Sequence, residues 1–296
     1  MRVLVTGASG HVGGTIAATL AAAGHEVVGL SRRGGGTPKS VTIDLSRTDA
    51  AGVVRQQVDA CDAIVHAAAN LDRDPASPDV VLANCLGSQS MLEVAETWGV
   101  RQYVYISGVT VIGRPQDLPI DEDHPTSPQT AYHAAKLFGE HLTRIATGRG
   151  LNAVSLRLSS PAGPGTPGGR ILRTFVERAA RNQPLELAGR GGRRQDFVDV
   201  RDCGEAVRLC LDKGATGVLN IAAGASVSNL ELANTCTAVL GSSSAVEFTG
   251  RDDPEEEMRW EIDISRARAV VGFTPAHSLE DSIRAVAEDN ADRAHQ

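Results

Sequence analysis

Hydrophobic positions in the first half of the chain fall into two alternating kinds of run. Residues 3–6, 25–30, 40–44, 63–66, 103–107 and 153–158 are short apolar stretches. Several lack polar alternation, the pattern of strands buried on both faces of a parallel sheet. Between them lie longer stretches rich in Ala, Leu and Glu: residues 11–23, 48–58, 80–98 and 130–147. Gly24, Gly99 and Gly148 stand at their ends, where left-handed C-terminal caps are expected. Strand and helix in alternation, joined by right-handed crossovers, predict an α/β fold with a doubly wound parallel sheet.

The pattern changes after Leu158. Residues 159–169 are rich in Gly, Pro and Ser and read as a functional loop. A helix is expected over 171–181, then short extended stretches at 184–187 and 196–200 flanking an Arg/Gly-rich turn. A buried strand over 217–221, a helix over 229–240 and a surface helix over 278–291 follow.

Composition narrows the function classes. A chain of 296 residues is long enough for one large domain or two small ones to fold unaided. Acids outnumber bases 36 to 29, giving a net charge of -7, and the arginines are dispersed, so there is no basic footprint for nucleic acid. No apolar run approaches the roughly 20 residues of a membrane helix, so no membrane partner is expected. A strand-like run begins at Arg2, which argues against a signal peptide. The five cysteines are odd in number and show no CxxC spacing. Small buried thiols in a reducing cytoplasm fit better than a disulfide framework or a zinc site. The histidines do not cluster, and no metal centre is expected.

The first strand-to-helix turn reads Thr6-Gly7-Ala8-Ser9-Gly10-His11-Val12-Gly13. Gly7 permits a tight turn, Gly10 lets backbone approach a pyrophosphate, and Gly13 lets the helix pack on the sheet. The helix N-terminus then faces phosphate charge. With a strand before and a helix after, the loop predicts dinucleotide binding, with Ser9, His11 and Val12 beside the cofactor. The second strand ends in Leu30-Ser31-Arg32-Arg33, without the carboxylate that would bind the adenosine ribose of NAD. Two guanidiniums suited to a phosphate stand there instead, so NADP is expected over NAD, with Arg32 the first partner and Arg33 beside it. Asp44-Leu45 ends the third strand; Asp44 either meets the adenine or caps the next helix. Ala67, Ala68 and Ala69 follow the fourth strand, small enough for a cofactor to lie against backbone, and His66 before them reads as structural.

Tyr132 and Lys136 are four apart on one predicted helix and project from one face. An ammonium beside a phenol favours the phenolate and lowers its pKa from about 10. Such a Tyr can exchange a proton with a substrate oxygen while hydride moves at the carbon.

With these motifs assembled, the chain resembles the extended short-chain dehydrogenases/reductases of the NAD-dependent epimerase/dehydratase type. The likeness rests on the glycine loop, Asp44-Leu45, the His66-Ala67-Ala68-Ala69 run and Tyr132-x-x-x-Lys136. It extends to Gly163-Pro164-Gly165, Asp196-Phe197-Val198 with Asp202, Asn220-Ile221 and Gly272-Phe273-Thr274-Pro275. The resemblance implies a Rossmann-type sheet of about seven strands and a smaller C-terminal α+β substrate domain. The expected division is 1–165 plus roughly 196–226 for the dinucleotide, and roughly 166–195 plus 227–296 for the substrate. It implies Tyr132 as acid/base, Lys136 as its electrostatic partner and ribose ligand, Asn84 near the active site, and a homodimer.

Two departures bear on function. The hydroxyl that the family places beside the Tyr falls on Gly108 here, so Ser107 is the candidate substitute, with Thr110 the alternative. Sugar-nucleotide enzymes of this type often have Arg before the Asp-Phe pair, where Gln195 stands; Arg194 and Arg251 are then the candidate phosphate ligands, with Ser160 in the place of a substrate-binding Asn. The expected activity is hydride transfer between a nicotinamide and a secondary alcohol or carbonyl, of a sugar or sugar nucleotide, in a pocket shaped by the loops 71–78, 114–128 and 159–170. Gly108 also raises the alternative of an NADP-binding regulator with weak or no turnover.

Overall fold

The structure, a computed structural model, describes residues 1–72 and 74–294. Arg73, inside the expected pocket loop 71–78, and the last two residues of the expected substrate domain lie outside the described residues.

The nucleotide half runs β1 (Arg2–Thr6), α1 (His11–Ala22), β2 (Glu26–Ser31), β3 (Lys39–Thr42), α2 (Ala50–Gln57), β4 (Ala63–His66), α3 (Pro78–Val81), α4 (Gly87–Trp98), β5 (Gln102–Gly108), α5 (Ala131–Gly148) and β6 (Ala153–Leu158). Next come α6 (Ile171–Ala180), β7 (Leu185–Leu187), β8 (Arg194–Asp196), α7 (Val200–Lys213) and β9 (Gly217–Ile221). The chain ends with β10 (Ser226–Ser228), α8 (Asn229–Leu240), β11 (Val246–Phe248), α9 (Ser265–Val271) and α10 (Leu279–Ala294).

Seven strands form one parallel sheet in the order β3-β2-β1-β4-β5-β6-β9. The order reverses between β1 and β4, and a crevice opens at the carboxyl ends of strands at such a switch. There Thr6 pairs in register with His66. Cores fill both faces, one including Ile16 and Leu20 of α1 and Val207 of α7, the other Val54, Met91 and Tyr105. A third core, with Leu172, Phe175, Leu187, Leu232 and Ile283, joins α6, β7, α8 and α10 into the smaller lobe.

Several boundaries differ from the sequence reading. The stretch 196–200 is not extended throughout: β8 ends at Asp196, and Asp199 caps α7 by accepting the Arg201 amide at 2.9 Å. Buried Val200, Cys203, Val207, Cys210 and Leu211 carry the helical period of α7, which Gly204 disguises. That glycine is a packing requirement, because a Cβ there would strike Thr19 of α1. The predicted helix 80–98 is three pieces, with a π-helical turn at Leu82–Leu86 between α3 and α4. Gly99 is a left-handed cap as expected, whereas Gly148 lies inside α5 and Gly150 takes the positive φ. Finally, Ala267, Val271 and Phe273 join the core beneath α1 and α7, so the division at 227 does not hold for this stretch.

Helix α5 approaches β5 closely because position 139 is glycine: a Cβ there would overlap the fully buried Tyr105 ring. Gly139→Ala gains up to about 1 kcal/mol of helix propensity but overpacks a rigid site at a cost of about 1–3 kcal/mol. A net loss of about 1 kcal/mol in urea unfolding is expected.

Candidate active site

A cavity of about 940 Å³ runs along the switch point, from Arg32 and Arg33 at one end to Tyr132 and Arg170 at the other. The glycine loop forms its floor. Gly7 has φ +71, and a Cβ on it would lie 2.9 Å from Ala68 backbone; a Cβ on Gly13 would strike the Gly7 carbonyl. Helix α1 starts at N-cap Gly10 with no side-chain cap and no acid in its first turn. Its first amides have no intrahelical partner, and the helix dipole adds positive potential, so the residues fit a pyrophosphate. Ser9, His11, Val12, Leu45, Ala67, Ala68 and Ala69 all line the same cavity.

At the adenosine end, Ser31 Oγ donates to Gly34 O at 3.1 Å, and positive φ at Gly34, Gly35 and Gly36 folds that loop back against Ala8. Arg32 and Arg33 are exposed there and make no hydrogen bond or ion pair among the described residues, with Arg32 in electrostatic reach of Asp44. Asp44 Oδ1 accepts the Ser46 amide at 3.0 Å and the Ser46 hydroxyl at 2.8 Å, bonds that, with Arg32 nearby, hold its carboxyl below the usual range. It does not cap α2, which begins six residues later with Asp49 as N-cap.

Tyr132 and Lys136 enter from the start of α5, whose N-cap Thr130 accepts the His133 amide at 3.2 Å. Lys136 is buried; its Nζ donates to Ile106 O at 2.7 Å and lies 5.1 Å from the Tyr105 ring centre and 5.8 Å from that of Tyr132. Burial pushes Lys136 down to about 8, opposed by Glu140 one turn further on. Burial also pushes Tyr132 up to about 12, with only Arg170 opposing it. The expected lowering of the Tyr132 pKa by Lys136 is therefore not found in the protein alone: desolvation outweighs the ammonium, which is spent on a carbonyl.

Ser107 is not the free hydroxyl that the sequence suggested. Its Oγ donates to Glu140 Oε1 at 2.6 Å, and Arg157 grips that carboxylate through Nε and Nη2 at 3.0 and 2.8 Å, all three being buried. His66 is structural, as expected: fully buried, bonded to Thr6 Oγ1 at 2.8 Å, stacked on Tyr105, and pushed down to about 3 by burial.

The four expected substrate residues separate. Ser160 lines the cavity, and its hydroxyl makes no hydrogen bond among the described residues. Asn84 lines it too, but both amide ends are committed: Oδ1 accepts the Asn70 amide at 2.7 Å and Nδ2 donates to Asn70 O at 3.1 Å. It clamps the loop after β4 and keeps one N–H and one lone pair beyond these bonds. Arg194 lies outside the cavity, donating to Ser226 and paired with Glu231 at 3.1 Å. Arg251 is exposed and also outside it. Besides buried Lys136, the cation at the Tyr132 end among the described residues is Arg170, exposed and with no ion pair among them, at the N-cap of α6. Sequence reading placed it in the pocket loop without singling it out; an Arg closing a Gly-Pro loop just before a helix was the available signal.

The model of the NAD dependent epimerase/dehydratase family matches residues 3–222. The chain belongs to this family. It is 31% identical over 228 residues to a dTDP-glucose 4,6-dehydratase of Streptomyces niveus, covering 75% of this chain and 68% of that one. It is 29% identical to a UDP-glucose 4-epimerase of Mycolicibacterium smegmatis over 97% of this chain and 98% of that one. Among solved structures, the UDP-glucose 4-epimerase of Thermus thermophilus in complex with NAD superposes with a TM-score of 0.84 at 26% identity, covering 98% of each chain. The chain is thus an enzyme of the epimerase/dehydratase family.

In this family member the later motif residues are structural. Buried Asp196 accepts Ser159 Oγ at 2.6 Å and the amides of Ala223 and Ala225 at 2.9 and 3.1 Å, tying the loop after β6 to the loop after β9. Asp202 accepts the His277 amide at 3.1 Å and pairs with its Nδ1 at 2.8 Å, fixing the entry to α10. Asn220 Nδ2 donates to Ile120 O and Asp263 O.

Burying the Lys136 ammonium costs stability. Its pKa falls from an ordinary 10.5 to about 8 on folding, so the unfolded chain binds more protons between those values and stability rises with pH across that window. The penalty, about 3 kcal/mol, is fully present below pH 8. Lys136→Met should therefore unfold at higher urea than wild type at pH 7, with an advantage that shrinks towards pH 10.5.

Proposed function

We propose that this enzyme is an NADP-preferring oxidoreductase or epimerase acting on a secondary alcohol or carbonyl of a sugar nucleotide. The observation that carries the reading is the placement of Tyr132, above buried Lys136, in the same cavity as the glycine loop. A nicotinamide bound there supplies a hydride acceptor or donor at C4 and, when oxidised, a positive charge that favours the phenolate. Tyr132 exchanges the proton of the reacting oxygen. Lys136, held against Ile106 O, supplies fixed positive charge to the phenolate and a ribose contact.

Family relatives named for UDP-glucose and dTDP-glucose support the sugar-nucleotide class. Among the described residues, Arg170, rather than Arg194 or Arg251, is the cation available to a substrate phosphate. The free guanidiniums of Arg32 and Arg33 support NADP. Exposed Phe138 and Ile145, seven apart on α5, lie on an element packed beside α3 with exposed Val81, and support a homodimer through this face. No helix among the described residues is long and apolar enough to cross a membrane, and the five cysteines are free, which supports a cytoplasmic setting.

Tyr132→Phe should abolish turnover of sugar nucleotides while leaving dinucleotide binding, followed by thermal shift, near wild type. Arg32→Ala with Arg33→Ala should weaken NADP binding by about 10- to 100-fold and leave NAD binding almost unchanged in calorimetric titration. Equal affinities in the parent would remove the NADP assignment.

A further inference from the structure

Hydride transfer at a carbinol carbon changes the charge on the attached oxygen. Tyr132 offers that oxygen one hydrogen bond, and a second donor held in place lowers the barrier further. Two hydroxyls at the end of β5 line the cavity, Ser107 and Thr110. Ser107 is 4% exposed and donates its proton to Glu140, inside the buried cluster that Arg157 completes. Turning it towards a substrate would leave a buried carboxylate short of a donor, at a cost of about 1–3 kcal/mol or more.

Thr110 is in the opposite condition. It is half-buried, and its hydroxyl makes no hydrogen bond among the described residues. A Cβ built on Gly108 would lie 3.4 Å from Thr110 Oγ1 and 3.7 Å from Leu158 O. The Thr110 hydroxyl thus stands beside the space that a side chain at 108 would enter. Gly108 has φ -147, extended backbone open to any residue, so no conformational demand keeps it glycine.

We propose that Thr110 is a catalytic residue: its hydroxyl donates a hydrogen bond to the reacting substrate oxygen, taking over from the side chain absent at Gly108. In the oxidation direction a bound oxidised nicotinamide would accept the substrate hydrogen together with its bonding electron pair, as hydride, and the O–H proton passes to the Tyr132 phenolate oxygen. Thr110 keeps its proton and holds the oxygen throughout. This rests on the hydride-transfer reading above, and the test separates the two.

The measurement is the kcat and KM of the cofactor-loaded enzyme with UDP-glucose, UDP-glucuronate and dTDP-glucose as probes, with melting temperature and NADP affinity measured alongside. Thr110→Val should lower kcat by about 100-fold or more with KM and NADP affinity nearly unchanged, and Thr110→Ser should keep activity within about tenfold. Adding Gly108→Ser to Thr110→Val should recover at least about tenfold of the loss, a rescue that a purely structural Thr110 would not show. Wild-type kcat in Thr110→Val, with Tyr132→Phe inactive, overturns the role of Thr110 alone. So does a folded double variant no better than Thr110→Val. Full activity in Tyr132→Phe, or a wild type that turns over none of the probes, overturns the hydride-transfer reading and this proposal together.

Discussion

The seating of α5 on the end of β5 is the constraint on which the site depends. Lys136 donates to Ile106 O and, one turn on, Glu140 accepts from Ser107, so adjacent residues of one strand take two polar heads of one helix. Gly139 lies between them and lets the helix close onto Tyr105. A buried charge without a partner is costly, so each contact fixes register as well as distance. The result places the Tyr132 ring at the cavity with little freedom to shift along the strand.

From that seating, coupling spreads in two directions. Tyr105 sits under the Lys136 ammonium and stacks on His66, which bonds Thr6; Thr6 Oγ1 in turn accepts the Ala68 amide at 3.0 Å. This chain reaches the glycine loop and the cofactor wall. In the other direction Arg157 passes from Glu140 to the Glu122 carbonyl at 3.2 Å, and Glu122 accepts the Asn220 amide at 2.8 Å. The same buried cluster that steadies α5 thus also ties the sheet to the segment leading into the smaller lobe.

The pKa directions at this junction oppose each other in a useful way. Desolvation holds Tyr132 as the neutral phenol and weakens the charge on Lys136 when the protein stands alone. A phenol ready to donate suits a carbonyl substrate. The reverse step needs added positive charge nearby, which an oxidised nicotinamide supplies. In the proposed reaction, proton exchange would therefore be tied to the presence of the dinucleotide by the dryness of the site.

Much of this was legible in sequence, because periodicity and glycine spacing are local properties. The parallel strands, the glycine loop and the Tyr132–Lys136 pair needed only the chain itself, since each is set by residues within one turn or one strand. What the sequence could not decide was how polar groups far apart are spent. Ser107, Asn84 and Arg194 have suitable chemistry, yet Glu140, Asn70 and the Ser226–Glu231 pair claim them, at separations of 33, 14 and 32 residues for the first contact of each. Thr110 and Arg170 remain free for the same reason in reverse. Local pattern determined which groups exist near the cleft; tertiary structure decided which of them still have a hydrogen bond or a charge to offer, because burial forces every other polar group to find its partner inside the protein.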